Sequence, residues 1–335
     1  MAGKAYARTA TVKFYQLSLF HQNTGAETGR VVLAESRRRA GEAARGFGRK
    51  RGTGQQITNC IFIDSETTPG PMQHHILRPR QALNKVYLGL KTSRADLEQF
   101  KRGLRTLLDS LNLLESEEHA RYHLRDFLQS VFYVKYGINT KGKTDLVIHT
   151  GHTTKTNAGV LLEVKRPTNK ADMPTPGNLN AKAVHELLLY YMQERVQDKD
   201  HDLCHLIVTS VHEWFVFDAL KFERLFYHNT QLRKAYTDWQ EGRKASTSTD
   251  FFYKEIAAPF ISQLPEQITF THFCLQDYKK PLLNGSTEGE AELELLYKFL
   301  SPRHLLKEDS QDEETRENSS KVCYAHLKGL REGFE

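Results

Sequence analysis

The chain reads Lys143-Thr-Asp-Leu-Val-Ile-His149 and then, after a polar loop from 151 to 159, Val160-Leu-Leu-Glu-Val-Lys165. Both runs are rich in β-branched and aliphatic residues, which is typical of buried strands, whereas Gly, Thr and Asn dominate the loop. Pro167 ends the second run, because proline cannot donate to the ladder of a sheet. The two runs therefore predict a β-hairpin at the centre of the fold.

The segments around this hairpin carry helical and strand patterns in turn. Apolar residues recur at helical spacing over 94–114, and Ser116 is a predicted N-cap for a second helix. After the hairpin, the sequence predicts a crossover helix over 179–196, strands over 203–209 and 214–217, and helices over 222–239 and 290–299. This order predicts an α/β domain with a mixed sheet flanked by helices.

The charge of the chain is unevenly distributed. The formal net charge is +6, and residues 1–71 account for all of it, with 11 Lys/Arg against 5 Asp/Glu. The rest of the chain carries 36 residues of each sign out of totals of 47 and 41, so a DNA-binding surface there would require local clustering. We expect a basic disordered tail or a spurious extension over 1–75, one folded domain over 76–300, and an acidic disordered tail over 301–335. A dedicated nucleic-acid arm is the competing interpretation of the N-terminal segment.

No stretch approaches the roughly 20 consecutive apolar residues of a membrane helix, so we expect no membrane partner. The four cysteines are Cys60, Cys204, Cys274 and Cys323, and no two of them form a Cys-x-x-Cys pair. This spacing is typical of a reducing compartment and disfavours a zinc ribbon. We therefore expect a cytoplasmic protein.

The hairpin carries the candidate chemistry. Glu163 and Lys165 are two apart on one strand and share a face, and Asp145 lies on the neighbouring strand. Two carboxylates beside a lysine suit phosphodiester hydrolysis, because the acids hold a hard divalent cation and the lysine offsets charge on the phosphate. The competing interpretation is a solvent-facing ion-pair row, which the apolar run Val160–Leu162 disfavours.

Three further residues are weaker candidates. Glu117 lies seven residues before Leu124 on the apolar stripe of its helix, which makes it a candidate for an added acid that reaches the metal site, with an N-terminal capping role as the alternative. Glu186 and Tyr190 lie one helical turn apart on the crossover helix. A surface pair is the ordinary interpretation for them, and a DNA-contacting or water-orienting role is the alternative.

Several segments together resemble the N-terminal nuclease region of type IIG restriction-modification enzymes, which fuse an endonuclease and an adenine methyltransferase in one chain. The resemblance covers about 76–299 and rests on Glu115-Ser-Glu-Glu-His119, Ile138-Asn-Thr-Lys-Gly-Lys-Thr-Asp-Leu146, Leu162-Glu-Val-Lys-Arg-Pro167, His185-Glu-Leu-Leu-Leu-Tyr190 and Asp250-Phe-Phe-Tyr-Lys-Glu255. It implies a PD-(D/E)XK nuclease fold and a Mg²⁺-dependent endonuclease that cuts foreign double-stranded DNA, with Mn²⁺ as a second candidate ion.

The resemblance also assigns roles to individual residues. Asp145, Glu163 and the backbone carbonyl of Val164 would be metal ligands, Lys165 the catalytic lysine, and Glu117 the acid of the preceding helix. Glu186 and Tyr190 would be loose equivalents of a Gln and a Tyr on the following helix. The methyltransferase signature Asn-Pro-Pro-Tyr does not occur. We therefore expect a truncated nuclease half, a separate methyltransferase or specificity subunit as partner, and a transient homodimer; a non-catalytic DNA-binding or subunit-docking remnant is the alternative.

Overall fold

The computed structural model describes residues 74–112, 116–264 and 267–308. Seven strands are present in this part of the chain, and their bounds are β1 His74–Leu77, β2 Ile138–Lys141, β3 Thr144–His149, β4 Ala158–Val164, β5 His205–Thr209, β6 Glu213–Asp218 and β7 Ile268–Cys274. They form one sheet in the order β1-β7-β6-β5-β4-β3-β2. The pairs β1–β7 and β4–β5 are parallel and the other four are antiparallel, so the sheet is mixed.

Helices cover both faces of this sheet. The longer ones are α3 Arg94–Ser110, α4 Glu117–Val131, α5 Lys182–Met192, α7 Thr230–Gln240 and α11 Thr287–Leu300. The shorter ones are α1 Pro79–Ala82, α2 Lys85–Gly89, α6 Ala219–Phe222, α8 Thr249–Phe251, α9 Ala258–Ser262, α10 Lys279–Asn284 and α12 Pro302–Leu305. Wider π-type turns continue α5, α6 and α8 over Gln193–Gln197, Glu223–Tyr227 and Phe252–Ala257, and a 3-10 turn covers Leu275–Tyr278.

Two hydrophobic cores sandwich the sheet, one on each face. Successive strand residues point to opposite faces, so Leu161 packs with α5 in one core while Leu162 packs with α3, α4 and α11 in the other. Strands β3 and β4 are buried along their whole length. The hairpin is therefore an interior element, which explains its nearly continuous apolar sequence.

Helix caps explain where the two helices before the hairpin begin. The Ser93 hydroxyl accepts the N–H of Asp96 at 3.1 Å, and the Ser116 hydroxyl accepts that of His119 at 3.3 Å. Each cap satisfies a backbone donor that the first turn leaves unpaired. Gly103 of α3 faces α4 so closely that an added Cβ would lie 2.4 Å from Val131 Cγ2. The glycine therefore permits the close approach of these helices.

The predicted α/β class, with helices on a mixed sheet, is confirmed, and the four predicted strands are present. Three strands were not predicted. β1 and β2 are four residues long and partly polar, whereas the alternation of buried and partly exposed residues in β7 breaks at Phe270 and Thr271, which are both buried. The helix predicted over 222–239 is two segments, because Asn229 caps α7 through the N–H of Leu232 at 3.0 Å.

The predicted tails lie largely outside the described residues, namely 1–73 and 309–335. The described part extends slightly beyond the predicted domain at both ends, because β1 begins at His74 and α12 follows residue 300. Leu305 is fully buried, so the second core includes residues after 300. Within the described ranges, no helix combines the length and the apolar character required to cross a membrane.

Candidate active site at the end of the central hairpin

Asp145, Glu163 and Lys165 meet at one end of the β3–β4 hairpin. Leu146 pairs with Leu162, so antiparallel register brings Asp145 opposite Glu163 one step further along. The carboxylate Oδ2 of Asp145 accepts the backbone N–H of Val164 at 2.9 Å. This bond ties the first carboxylate to the strand that carries the other two side chains, and the convergence that the sequence predicted is present.

Lys165 lies among three carboxylates. Its Nζ is 2.5 Å from Glu163 Oε1, 2.8 Å from Glu186 Oε2 and 3.7 Å from Glu117 Oε1. Lys165 and Glu163 are only 5% and 2% exposed, which excludes the solvent-facing ion-pair row. A lysine buried this deeply requires anionic partners, and all three carboxylates lie within ion-pair distance, with Glu117 the most distant.

The two helices that flank the hairpin supply the remaining charges. Glu117 is the first residue of α4, and its side chain is 38% exposed, so of the three carboxylates near Lys165 it is the most accessible to solvent. Glu186 and Tyr190 of α5 are 8% and 5% exposed. The interpretation of Glu186 and Tyr190 as a surface pair is therefore wrong, because α5 lies directly over the sheet and turns both side chains inwards.

Arg121 is a member of the site that sequence analysis missed. Its Nη1 is 2.5 Å from Asp145 Oδ1, and its Nη2 is 3.7 Å from Glu118. A signal existed, because Arg121 follows Glu117 by four residues and such residues share one side of a helix. With Arg121 on one oxygen and the Val164 N–H on the other, the Asp145 carboxylate is held in a single orientation.

The electrostatics of the site centre on Glu163. Burial raises the pKa of Glu163 well above its ordinary value, and the neighbouring charge of Asp145 raises it further, against the opposing effect of Lys165. Burial alone would lower the pKa of Lys165, but the charges of Glu163 and Glu186 outweigh burial and raise it. Glu163 Oε2 is buried without a hydrogen-bond partner in the described structure. A buried carboxylate oxygen in this state is costly unless something else binds it.

These features fit a divalent cation. Asp145 and Glu163 offer carboxylate oxygens, one of which has no hydrogen-bond partner among the described residues. The Val164 carbonyl lies on the Asp145 side of β4, because the N–H and C=O of one strand residue point the same way. No cluster of three His, Cys, Asp or Glu side chains suited to a metal occurs among the described residues. Mg²⁺ does not require one, because it commonly uses one or two carboxylates and keeps several waters.

Tyr253 is a second residue that the motif analysis did not single out. It lies in the π-type turn after α8 and is 7% exposed. Burial, with the charges of Glu186 and Glu163, raises its pKa to about 12, so the hydroxyl keeps its proton at neutral pH. His185, beside Glu186, instead shares a hydrogen bond of 2.6 Å with the Asn180 side chain, and burial lowers its pKa to about 4.

Comparison with known proteins identifies a family but no activity. No curated protein matches the chain, and no solved structure matches it either. The family model described as "Domain of unknown function (DUF7149)" matches residues 77–313, which is about seven tenths of the chain and contains the whole site. The chain therefore belongs to the DUF7149 family.

Proposed function

We propose that the chain is the nuclease part of a restriction-modification system, a Mg²⁺-dependent endonuclease of the PD-(D/E)XK fold that hydrolyses phosphodiester bonds of foreign double-stranded DNA. One observation carries the proposal. Asp145, Glu163 and Lys165 converge at one end of a buried hairpin, and a buried carboxylate oxygen of Glu163 has no hydrogen-bond partner in the part of the chain that the structure describes. Perturbed, closely coupled ionisable groups of this kind are concentrated at functional sites.

The proposal divides the chemistry among the residues of the site. Asp145, Glu163 and the Val164 carbonyl would hold Mg²⁺, with Mn²⁺ as a substitute. When bound, the cation polarises the phosphate and makes a water molecule more acidic. Lys165 orients the attacking water and offsets the negative charge that develops on the phosphate. Glu186 keeps the lysine in place, and Glu117, the most exposed of the three acids around it, faces the side that the substrate approaches.

The test compares the full chain with Glu163→Gln on supercoiled plasmid in Mg²⁺, Mn²⁺ or EDTA. Glutamine keeps the shape of Glu163 and can still accept from Lys165, and Glu186 remains 2.8 Å from the lysine as its counter-ion. The variant should therefore fold with a free energy of unfolding within about 1 kcal/mol of the parent. Nicking should require the metal and should fall at least about a hundredfold in the variant, a typical loss for one catalytic electrostatic group.

Glu194→Gln is the matched control, because Glu194 is a buried glutamate outside the candidate site whose carboxylate also pairs with a lysine, here Lys141 at 2.8 Å. It should cleave as the parent does. Equal cleavage by Glu163→Gln and the parent would contradict the proposal. If cleavage depends on a separate methyltransferase or specificity subunit, addition of that subunit should restore the activity. If cleavage depends on a transient homodimer, its rate should rise with the square of protein concentration.

A non-catalytic DNA-binding or subunit-docking role is the second candidate, and the Arg121–Asp145 ion pair favours it. Arg121 Nη1 occupies the carboxylate oxygen that a cation would bind, at 2.5 Å. Under this alternative, the arginine takes the place of the metal permanently. Tight DNA binding without any metal-dependent nicking, in the parent and in Arg121→Met alike, would support this second function against the first.

A further inference from the structure

Two histidines of α4 face each other at the surface of the helix. His119 is exposed and His123 is half-buried, and their Nε2 atoms lie 2.7 Å from each other. The ring centroids are 4.4 Å apart. Residues four apart on a helix lie one above the other on the same side, which is how both rings reach one point. The two nitrogens of this histidine pair therefore converge at a position that solvent can reach.

The histidine pair is separate from the candidate active site, although the same helix serves both. Glu117 and Arg121 of α4 form ion pairs with residues of that site. Successive residues of a helix are rotated by about 100°, so each histidine, two positions further along, is rotated by about 200° from one of these two residues. A helix with its side chains is roughly 10 Å across. The body of α4 therefore stands between the histidine pair and the hairpin.

The geometry of the pair suits a transition-metal ion. Neutral imidazole is the commonest metal ligand among protein side chains, and it suits Zn²⁺, Cu²⁺ and Ni²⁺. A histidine nitrogen binds Zn²⁺ at about 2.0–2.1 Å, so two such nitrogens on one ion are about 2.9–3.4 Å apart. The two Nε2 atoms, now 2.7 Å apart, need to separate by only a few tenths of an ångström to hold the ion. Two histidines four residues apart on one helical face are also a known zinc-binding arrangement.

The surroundings of the pair decide how firmly it could hold an ion. Within the described ranges, no third His, Cys, Asp or Glu side chain joins the pair in a ready-made metal cluster, so water would fill the other positions. Tyr122 packs edge-on against His123 at a ring distance of 5.6 Å, which restricts the rotation of that imidazole. Asp126 is exposed and follows His123 by three residues, so a carboxylate on the same side of α4 favours a cation there. Structural zinc sites use four protein ligands, so we expect a reversible site.

We propose that His119 and His123 form a binding site for a divalent transition-metal ion of the Zn²⁺, Ni²⁺ and Cu²⁺ class. The ion replaces the contact between the two rings and bridges successive turns of α4. Mg²⁺ does not compete for this site, because it prefers oxygen ligands. The inference therefore does not depend on the proposed nuclease function, whose metal ligands are the oxygens of the hairpin. An ion that binds only the folded helix should also raise the melting temperature of the chain.

The experiment titrates the full chain, free of any affinity tag, with ZnCl₂ by calorimetry. His119→Asn and His123→Asn should each bind Zn²⁺ at least about tenfold more weakly than the parent, since even partners outside the coordination shell of a metal contribute ten- to a hundredfold. His152→Asn makes the same change at an exposed histidine outside the pair and should bind like the parent. Without metal, all three variants should melt at the temperature of the parent, because they change surface side chains.

Two further measurements separate this site from others. Asp145→Asn removes a ligand of the proposed Mg²⁺ site and should bind Zn²⁺ at the pair like the parent, whether or not the chain is a nuclease. Cu²⁺ should bind more tightly than Ni²⁺ or Zn²⁺. The electron paramagnetic resonance spectrum of bound Cu²⁺ should show two nitrogen ligands in the parent and at most one in His123→Asn. Absence of Zn²⁺ binding by the parent, or equal Zn²⁺ binding by the parent and both variants of the pair, would overturn the inference.

Discussion

The buried lysine of the candidate active site leads to a quantitative prediction. Replacing Lys165 with methionine removes the cation and nearly preserves the volume of the side chain. Glu163 and Glu186 then lose the charge that lies 2.5 Å and 2.8 Å from their oxygens. Both acids are less than a tenth exposed, so water cannot take the place of the ammonium group. We therefore expect the variant to be strongly destabilised at neutral pH.

The magnitude follows from the burial of the pair. Removal of one partner from a buried ion pair typically costs about 3–5 kcal/mol, because the remaining charge is left uncompensated. For a domain of this size that loss corresponds to a fall in melting temperature of roughly 10 °C. The cost should shrink at acid pH, because burial and the charge of Asp145 raise the pKa of Glu163, and protonation of Glu163 removes one of the charges that Lys165 balances. The triple variant with both acids changed to glutamine should recover much of the loss.

Urea unfolding of the parent and Lys165→Met at pH 7.5 and pH 5 measures these quantities. Lys234→Met is the control, because Lys234 is 78% exposed and its pair with Asp238 joins residues one helical turn apart. Exposed pairs of this kind contribute less than about 1 kcal/mol. If Lys165→Met cost no more than the control at pH 7.5, or if its cost rose as the pH fell, the assignment of Lys165 as the counter-ion of two buried carboxylates would be refuted.

Three other changes test separate parts of the structure. Arg121→Met frees Asp145 Oδ1 for a cation. In a Mg²⁺ titration followed by thermal unfolding, the variant should reach half-maximal stabilisation at a lower Mg²⁺ concentration than the parent. No effect of Mg²⁺ on either protein would argue against a metal site. Folding lowers the pKa of His304 from 6.5 to about 3, so the free energy of unfolding of the parent should fall as the pH drops below 6.5. His304→Phe should reduce the slope of unfolding free energy against pH by up to about 1.4 kcal/mol per pH unit. An unchanged slope would mean that the ring does not titrate. Gly103→Ala should lower the free energy of unfolding by about 1–3 kcal/mol, because the added Cβ meets α4. Gly89→Ala should have no effect, because no atom lies within 4 Å of the added Cβ. Equal effects of the two variants in chemical denaturation would contradict the close approach of α3 and α4.

Local sequence determined the central hairpin and the residues that it carries. The apolar runs around Asp145 and Glu163 define two buried strands, and the period of two in a strand puts Glu163 and Lys165 on one face whatever surrounds them. The N-cap at Ser116 is equally local, because its hydroxyl reaches only the next turn. The α/β class follows from the order of such elements.

Tertiary structure decided what surrounds the hairpin. Glu186 has the sequence context of a surface residue, and only the packing of α5 over the sheet brings it to 2.8 Å from Lys165. Arg121 likewise meets Asp145 because α4 passes the end of β3, a contact between residues 24 positions apart. A pocket away from the hairpin joins residues from β1, β5 and α12, and no local pattern connects them. Burial and charge pairing of this kind depend on long-range packing, which periodicity within one segment does not encode.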